Sequence, residues 1–303
     1  VVIVELLESF ERDLTIRRRS VRTVQGYSKI ITKFLEYFPE PEKVDSDMLE
    51  EYLEHLMQRN LRGTTLKNVF SGISSVYDYL EWKKMVNRNP VPNFRKRYLD
   101  NTEESERRQV PELWQVRELI KRLDTILELT IVMVFAKTGI RREELLLLKP
   151  EDIDLENRII VIERKKRARN RIRSIDDELY IVLTRYLKWR EERANIGKCK
   201  SQYLFINEYG SRIHKDSINM FIQDHAEEIG FHERGGPLEK QMSSHCFRGF
   251  LTTQLRRAGM KKEHIQTMLG HSLNNEVWSG HYLGIDMGIV REEYLQCVSE
   301  III

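Results

Sequence analysis

The segment Ser244-His245-Cys246-Phe247-Arg248, followed by Leu269-Gly270-His271 and then by Tyr282, offers two imidazoles, a guanidinium and a phenol over a short stretch of chain. Groups of these types suit displacement at a phosphodiester. The transition state of that reaction carries extra negative charge on its non-bridging oxygens, and arginine presents a planar fork of donors matched to that geometry. His245 and Arg248 are spaced i,i+3, so on a helix they share a face and can converge on one phosphate. Tyr282 is the nucleophile in this reading.

A second group lies upstream in Lys137-Thr138-Gly139-Ile140-Arg141-Arg142-Glu143-Glu144-Leu145, where an apolar run ends at a glycine and a new amphipathic pattern begins. That pattern predicts a helix, a turn and the start of another helix. Gly139 suits a position of positive φ, and Arg141 then heads the following helix beside the unpaired amides of its first turn. Both features favour an anion nearby.

With these residues in view the chain resembles the tyrosine recombinase (phage integrase, Xer-like) family. The family pattern is a Thr-Gly-hydrophobic-Arg-x-x-Glu-Leu box, a hairpin lysine, His-x-x-Arg, Leu-Gly-His and a tyrosine, and each part occurs here in that order. The resemblance implies that Arg141 and Arg248 clamp the phosphate, that Lys166 is the hairpin lysine and that His245 and His271 are the two imidazoles. Tyr282 takes the nucleophile's place, and Glu144 supports the first arginine. Two departures stand out: the interval from His271 to Tyr282 is longer than the usual Xer-like one, and Lys166 lacks flanking glycines and has Lys165 beside it. Tyr294, in a stretch that reads as a terminal helix, is the other tyrosine downstream.

Residues 158–162 read as a β-branched strand and 171–175 as its alternating partner, with a basic turn between them. Arg164, Lys165, Arg167, Arg169 and Arg171 make that hairpin dense in positive charge, which points to DNA at its tip. Other basic patches, Arg17-Arg18-Arg19, Arg95-Lys96-Arg97 and Arg107-Arg108, sit in a chain otherwise balanced by acids, with a net charge of +3.

The resemblance implies a site-specific DNA recombinase or integrase, an enzyme that cleaves and rejoins strands through a 3′-phosphotyrosyl link. A type IB topoisomerase would use a similar residue set, and a non-catalytic DNA-binding regulator could retain the fold without the chemistry. Because the link conserves bond energy and the arginines neutralise charge, no cofactor and no metal are expected. The expected partners are double-stranded DNA and further copies of the chain, a dimer on each site and a tetramer in synapsis.

At 303 residues with 41% hydrophobic content, the chain is long enough for two cores. The expected fold is mainly α: an N-terminal helical bundle over 1–92, of the SAM-like core-binding type by resemblance, a linker over 93–110, and a mixed α+β catalytic domain over 111–303 with a small antiparallel sheet. Apolar residues recur with helical spacing in 24–38, 48–57 and 66–80, and a further helix is expected between Ile3 and Leu14. Asn89-Pro90-Val91-Pro92 is read as the end of the bundle. In the catalytic domain helices are expected over 111–124, 126–138, 176–193, 215–229, 243–258 and 262–269, and a short strand over 203–206. The apolar face of 290–303 needs a partner, either a neighbouring protomer, as the resemblance implies, or the chain's own domain. Three cysteines without paired spacing argue for a reducing compartment. No apolar stretch reaches membrane-spanning length and the first residues do not read as a signal peptide, so a cytoplasmic, nucleoid-associated protein is expected.

Overall fold

The structure, a computed structural model, describes residues 2–100, 108–163, 171–270 and 286–303. The chain forms two compact units, Val1–Ser105 and Glu106–Ile303. Among the described residues no helix is long and apolar enough to cross a membrane.

The first unit is all helical: α1 (Val2–Ile16), α2 (Val21–Tyr37), α3 (Ser46–Met57), α4 (Gly63–Trp82) and α5 (Val91–Tyr98). Side-chain caps start two of these. Ser20 accepts from the Thr23 amide at the head of α2, and Asp45 from the Met48 amide at the head of α3, each satisfying a donor that the first turn leaves open. The helical stripes close on one aromatic-rich core containing Phe10, Phe34, Tyr52, Phe70 and Tyr77.

Helix α5 corrects the expected boundary, because Asn89-Pro90-Val91-Pro92 starts a helix. Pro92 lies in the first turn, where a missing N–H costs nothing. Asn89 fixes the entry: its amide nitrogen donates to Ser74 O at 3.0 Å and to Asp78 Oδ1 at 2.7 Å, and its oxygen accepts from Val91 N at 2.9 Å. Phe94 then stacks on Phe70 with ring centroids 5.1 Å apart. Most of 93–100, expected as linker, therefore belongs to the bundle.

The second unit contains α6 (Leu113–Arg122), α7 (Ile126–Thr138), α8 (Arg142–Leu145), β1 (Ile153–Asp154), β2 (Ile159–Ile162), β3 (Arg171–Ser174), α9 (Asp177–Asn195), α10 (Lys215–Glu228), α11 (Cys246–Arg257), α12 (Lys262–Leu269) and α13 (Met287–Val298). Helix α7 is apolar on every side and buried from Thr130 to Thr138, as a helix surrounded by its own domain must be. Strands β2 and β3 pair antiparallel with Ile159 opposite Ser174 and Ile162 opposite Arg171, so the hairpin strands lie where they were expected. Strand β1, not expected, adds to the other edge of β2.

The expected strand at 203–206 does not form. Leu204 N donates to Leu148 O at 2.7 Å, while Leu204 O accepts from the Tyr186 hydroxyl and from Arg190 Nε, both at 3.1 Å. With its backbone groups occupied by loop and side-chain partners, the segment makes only an isolated bridge from Ile206 to Arg212.

The terminal segment packs on its own unit, the second of the two arrangements open to it from the sequence. Val290, Tyr294, Val298 and Ile301 are buried in the same core as α7 and α11. Lys137 Nζ, buried at the end of α7, donates to Glu178 at 2.5 Å, to Asp176 at 2.7 Å and to Ile301 O at 2.6 Å. Arg117 Nε donates to Ile302 O at 2.8 Å, and Ile303 N to the Glu178 carboxylate at 3.1 Å. The reason is electrostatic as well as apolar, because a buried ammonium needs its full set of acceptors. Removing residues 301–303 is expected to destabilise the isolated protein by about 3–6 kcal/mol, roughly one buried isoleucine plus one charge-assisted hydrogen bond. Urea denaturation of the monomer measures this, and an unchanged midpoint would rule out the docking described.

Candidate active site

Two turns bring the arginines together. At the end of α7, Gly139 adopts φ +59, and a Cβ there would stand 2.7 Å from Leu269 Cδ2, so both the turn and its packing on α12 require glycine. The chain then presents Arg141 as the cap of α8. Glu144 closes this turn by accepting from the Arg141 amide and from Arg141 Nη1, each at 3.0 Å. Burial works against the Glu144 charge, yet the Arg141 amide and guanidinium, with Arg171 behind them, hold its carboxyl below the usual range. Arg141 itself remains 42% exposed, free to reach a ligand.

Arg248 lies one turn into α11 and is held from both sides. Nη1 donates to Gly139 O and Nη2 to Leu269 O, both at 2.6 Å. Burial, with Arg141 and Arg171 as like charges, pushes its pKa down to about 10 against the pull of Glu144, so it stays protonated at neutral pH. His245 occupies the N-cap position of α11, and Arg248 N donates to its carbonyl at 3.2 Å. Burial together with the charges of Arg108, Arg248 and Arg141 lowers the His245 pKa, which favours the neutral ring.

The third contributor is β3. Arg171 turns inward, donating from Nη1 to Glu144 at 3.3 Å and from Nη2 to Gly270 O at 3.2 Å. Gly270, with φ +64, leaves no room for a side chain, since a Cβ would lie 2.3 Å from Arg171 Cζ. Arg171, grouped by sequence with the hairpin's DNA contacts, thus braces the first arginine's partner and the Leu269-Gly270 turn. Beneath it Arg173 is buried, with Nε and Nη2 lacking hydrogen-bond partners among the described residues.

Arg141, His245 and Arg248 line one cavity of about 430 Å³, together with Arg108, Arg142, Asn219, Gln223, Gln241 and Ser244. Its lining carries guanidinium groups and amides with Glu143 as the one carboxylate among the described residues, a surface made for an anion. Sequence reasoning missed most of the rim. Arg108 was visible only as half of a basic pair; its position is set by Gln109 N, which donates to Leu238 O at 3.2 Å. Asn219 gave no signal at all, yet its Oδ1 accepts from the Ser244 hydroxyl at 2.9 Å and the Ser244 amide at 3.2 Å, fixing the approach to His245.

Lys166, His271 and Tyr282 lie outside the described residues, as do Arg164, Lys165, Arg167 and Arg169. Tyr294 is described, and its surroundings remove it as a nucleophile. It is 2% exposed, its hydroxyl donates to Lys137 O at 2.5 Å, and burial raises its pKa well above the ordinary phenol value.

Comparison with known proteins agrees with this arrangement. The phage integrase family matches residues 108–287, more than half of the chain, and the phage integrase N-terminal SAM-like domain matches residues 6–85. The chain is 25% identical to the tyrosine recombinase XerC of Pelotomaculum thermopropionicum over 273 residues, 84% of this chain and 85% of that protein. It is 24% identical to the tyrosine recombinase XerA of Saccharolobus solfataricus over 305 residues, 97% and 93% of the two. In fold it is similar to the Tn1549 transposon integrase solved with a circular intermediate DNA, with a TM-score of 0.71 at 17% identity over 95% of this chain and 94% of that one. A lambda integrase dimer bound to a COC′ core site gives a TM-score of 0.69 at 12% identity, covering 88% and 94%. With the family matched across the residues that build the arginine cavity, and its N-terminal domain matched before them, the chain belongs to the phage integrase family and is a tyrosine recombinase.

Proposed function

We propose that the protein cuts and rejoins duplex DNA at specific sites by transient covalent attachment through Tyr282. The observation that carries this reading is the convergence of Arg141, His245 and Arg248 on one cationic cavity, with Arg248 pinned by two backbone carbonyls. A scissile phosphate placed there would meet two guanidinium groups that are already ordered, which is the preorganisation that stabilises developing negative charge. The Tyr282 oxygen attacks phosphorus as the bond to the 5′-oxygen breaks, giving a 3′-phosphotyrosyl link and a free 5′-hydroxyl. The lowered pKa of His245 suits it to accept the phenol proton, and Lys166, or Lys165 beside it, supplies the proton to the 5′-oxygen. His271 donates a hydrogen bond to a phosphate oxygen. Attack by another 5′-hydroxyl reverses the step and joins new partners, so no external energy source is required.

In this reading the arginines do the work that divalent ions do in many nucleases, so cleavage proceeds in a chelator. The first unit and the basic hairpin supply further contacts to duplex DNA, with a dimer on each site and a tetramer when two sites pair, in the cytoplasm on nucleoid DNA. The test uses a library of nicked duplexes whose short 5′-hydroxyl fragment diffuses away after cleavage. The expected result is a protein–DNA adduct stable to denaturation, formed in EDTA, with one sequence enriched on sequencing the trapped DNA. Breakage without adduct, or only with added metal, would overturn the reading.

A further inference from the structure

The C-terminal part of α10 faces the turn between α6 and α7, and it carries a histidine that the reaction above does not use. His225 is 8% exposed. Its Nε2 faces Glu128 Oε2 at 3.7 Å and Asp124 Oδ2 at 3.9 Å, both beyond hydrogen-bond reach. Its Nδ1 is buried with no hydrogen-bond partner among the described residues, and the nearest carboxylate, Glu228, stands 4.0 Å away. Three carboxylates therefore surround one imidazole without a hydrogen bond between them.

Glu128 is held in place because its Oε2 accepts from the Asp124 and Thr125 amides at 3.0 and 3.2 Å. Asp124 is 79% exposed and free to move inward. If the Nδ1 proton is directed at Glu228, Nε2 presents its lone pair to two carboxylates, an arrangement that is repulsive unless a cation stands between them. The ligand atoms of Asp124, Glu128 and His225 all lie within 4.8 Å of one another. Metal bonds of about 2.0–2.2 Å to nitrogen and oxygen set neighbouring ligands roughly 3–3.5 Å apart, so a small inward shift of Asp124 closes the set.

We propose that His225 Nε2, Glu128 and Asp124 bind a divalent transition-metal ion of the zinc class, with solvent completing the shell. Glu228 then accepts from Nδ1–H, the outer carboxylate that fixes the tautomer of a metal-bound histidine. The role is structural, separate from the strand-cleaving chemistry. Helix α10 also carries Asn219 and Gln223 on the arginine cavity, and Asn219 holds Ser244 ahead of His245. An ion at His225 staples that wall to the head of α7.

The experiment uses the whole chain, stripped with chelator and dialysed, titrated with zinc chloride by calorimetry and followed by thermal melting, with magnesium as the control cation. Wild type is expected to take up one zinc per chain at this site and to melt at a higher temperature with zinc than without. Asp124→Asn, a substitution at an exposed side chain, is expected to leave the metal-free melting temperature unchanged and to weaken zinc binding at least about ten-fold. His225→Gln is expected to abolish the zinc-dependent shift. Should that variant fail to fold, Asp124→Asn still decides. Failure of wild type to bind zinc, or equal affinity in wild type and Asp124→Asn, would overturn the proposal, the latter placing the zinc elsewhere, for example on the cysteines. None of these outcomes depends on strand cleavage.

Discussion

Arg248→Ala slows formation of the covalent adduct by about two to three orders of magnitude, the size expected when one preorganised transition-state donor is lost, and it also destabilises the second unit. The second effect comes from the carbonyls of Gly139 and Leu269, which Arg248 occupies at 2.6 Å each. Each bond to a charged donor is worth roughly 1.5–3 kcal/mol, so the loss is about 3–6 kcal/mol in unfolding free energy. Arg248→Lys keeps the charge but cannot fork between two carbonyls and a phosphate, and it restores little of the rate. Single-turnover cleavage, measured well below the melting temperature of each variant, separates chemistry from folding. A wild-type rate in the folded alanine variant would remove Arg248 from the clamp.

Tyr282→Phe gives the largest change of all, complete loss of the adduct with binding of target DNA retained. Only the oxygen that would bond to phosphorus is deleted, while the ring and the cationic cavity remain. Tyr294→Phe serves as the contrast. Its hydroxyl is spent on Lys137 O inside the core, so that variant loses stability but still forms adduct. Denaturing gels with the nicked substrate read the adduct, and gel shifts read binding. Adduct formation by Tyr282→Phe would move the nucleophile elsewhere.

The parts of the site that depend on nearby residues were legible in the sequence. Gly139 ends one helix and Arg141 opens the next because a left-handed turn and a cap follow local rules; the i,i+3 pair His245 and Arg248 follows helix geometry. What escaped depends on contacts far apart in the chain. The alternation of β3 suggests Ile172 inside and Arg173 outside, but Ile172 is 46% exposed and Arg173 is buried. A guanidinium so placed is pushed down to about 10 by burial, with Glu144 opposing and Arg171 and Arg248 adding to the shift. Helix α5 was hidden by its two prolines, which read as an ending until Asn89 is seen to hold them. The docking of 299–303 was hidden because Lys137, in a turn motif that draws attention to Arg141, gives no hint that it is buried among Asp176, Glu178 and Ile301.

The bond from Arg248 to Gly139 spans 109 residues. During synthesis the ribosome exposes Arg141 long before Arg248 and Leu269 emerge, so a nascent chain holds half of a phosphate cradle and no support for the other half. A chain whose second unit is unfinished or misfolded therefore lacks the carbonyls that orient its second arginine. The same pair of hydrogen bonds that orients the second arginine ties completion of the cationic cavity to completion of the second unit's fold.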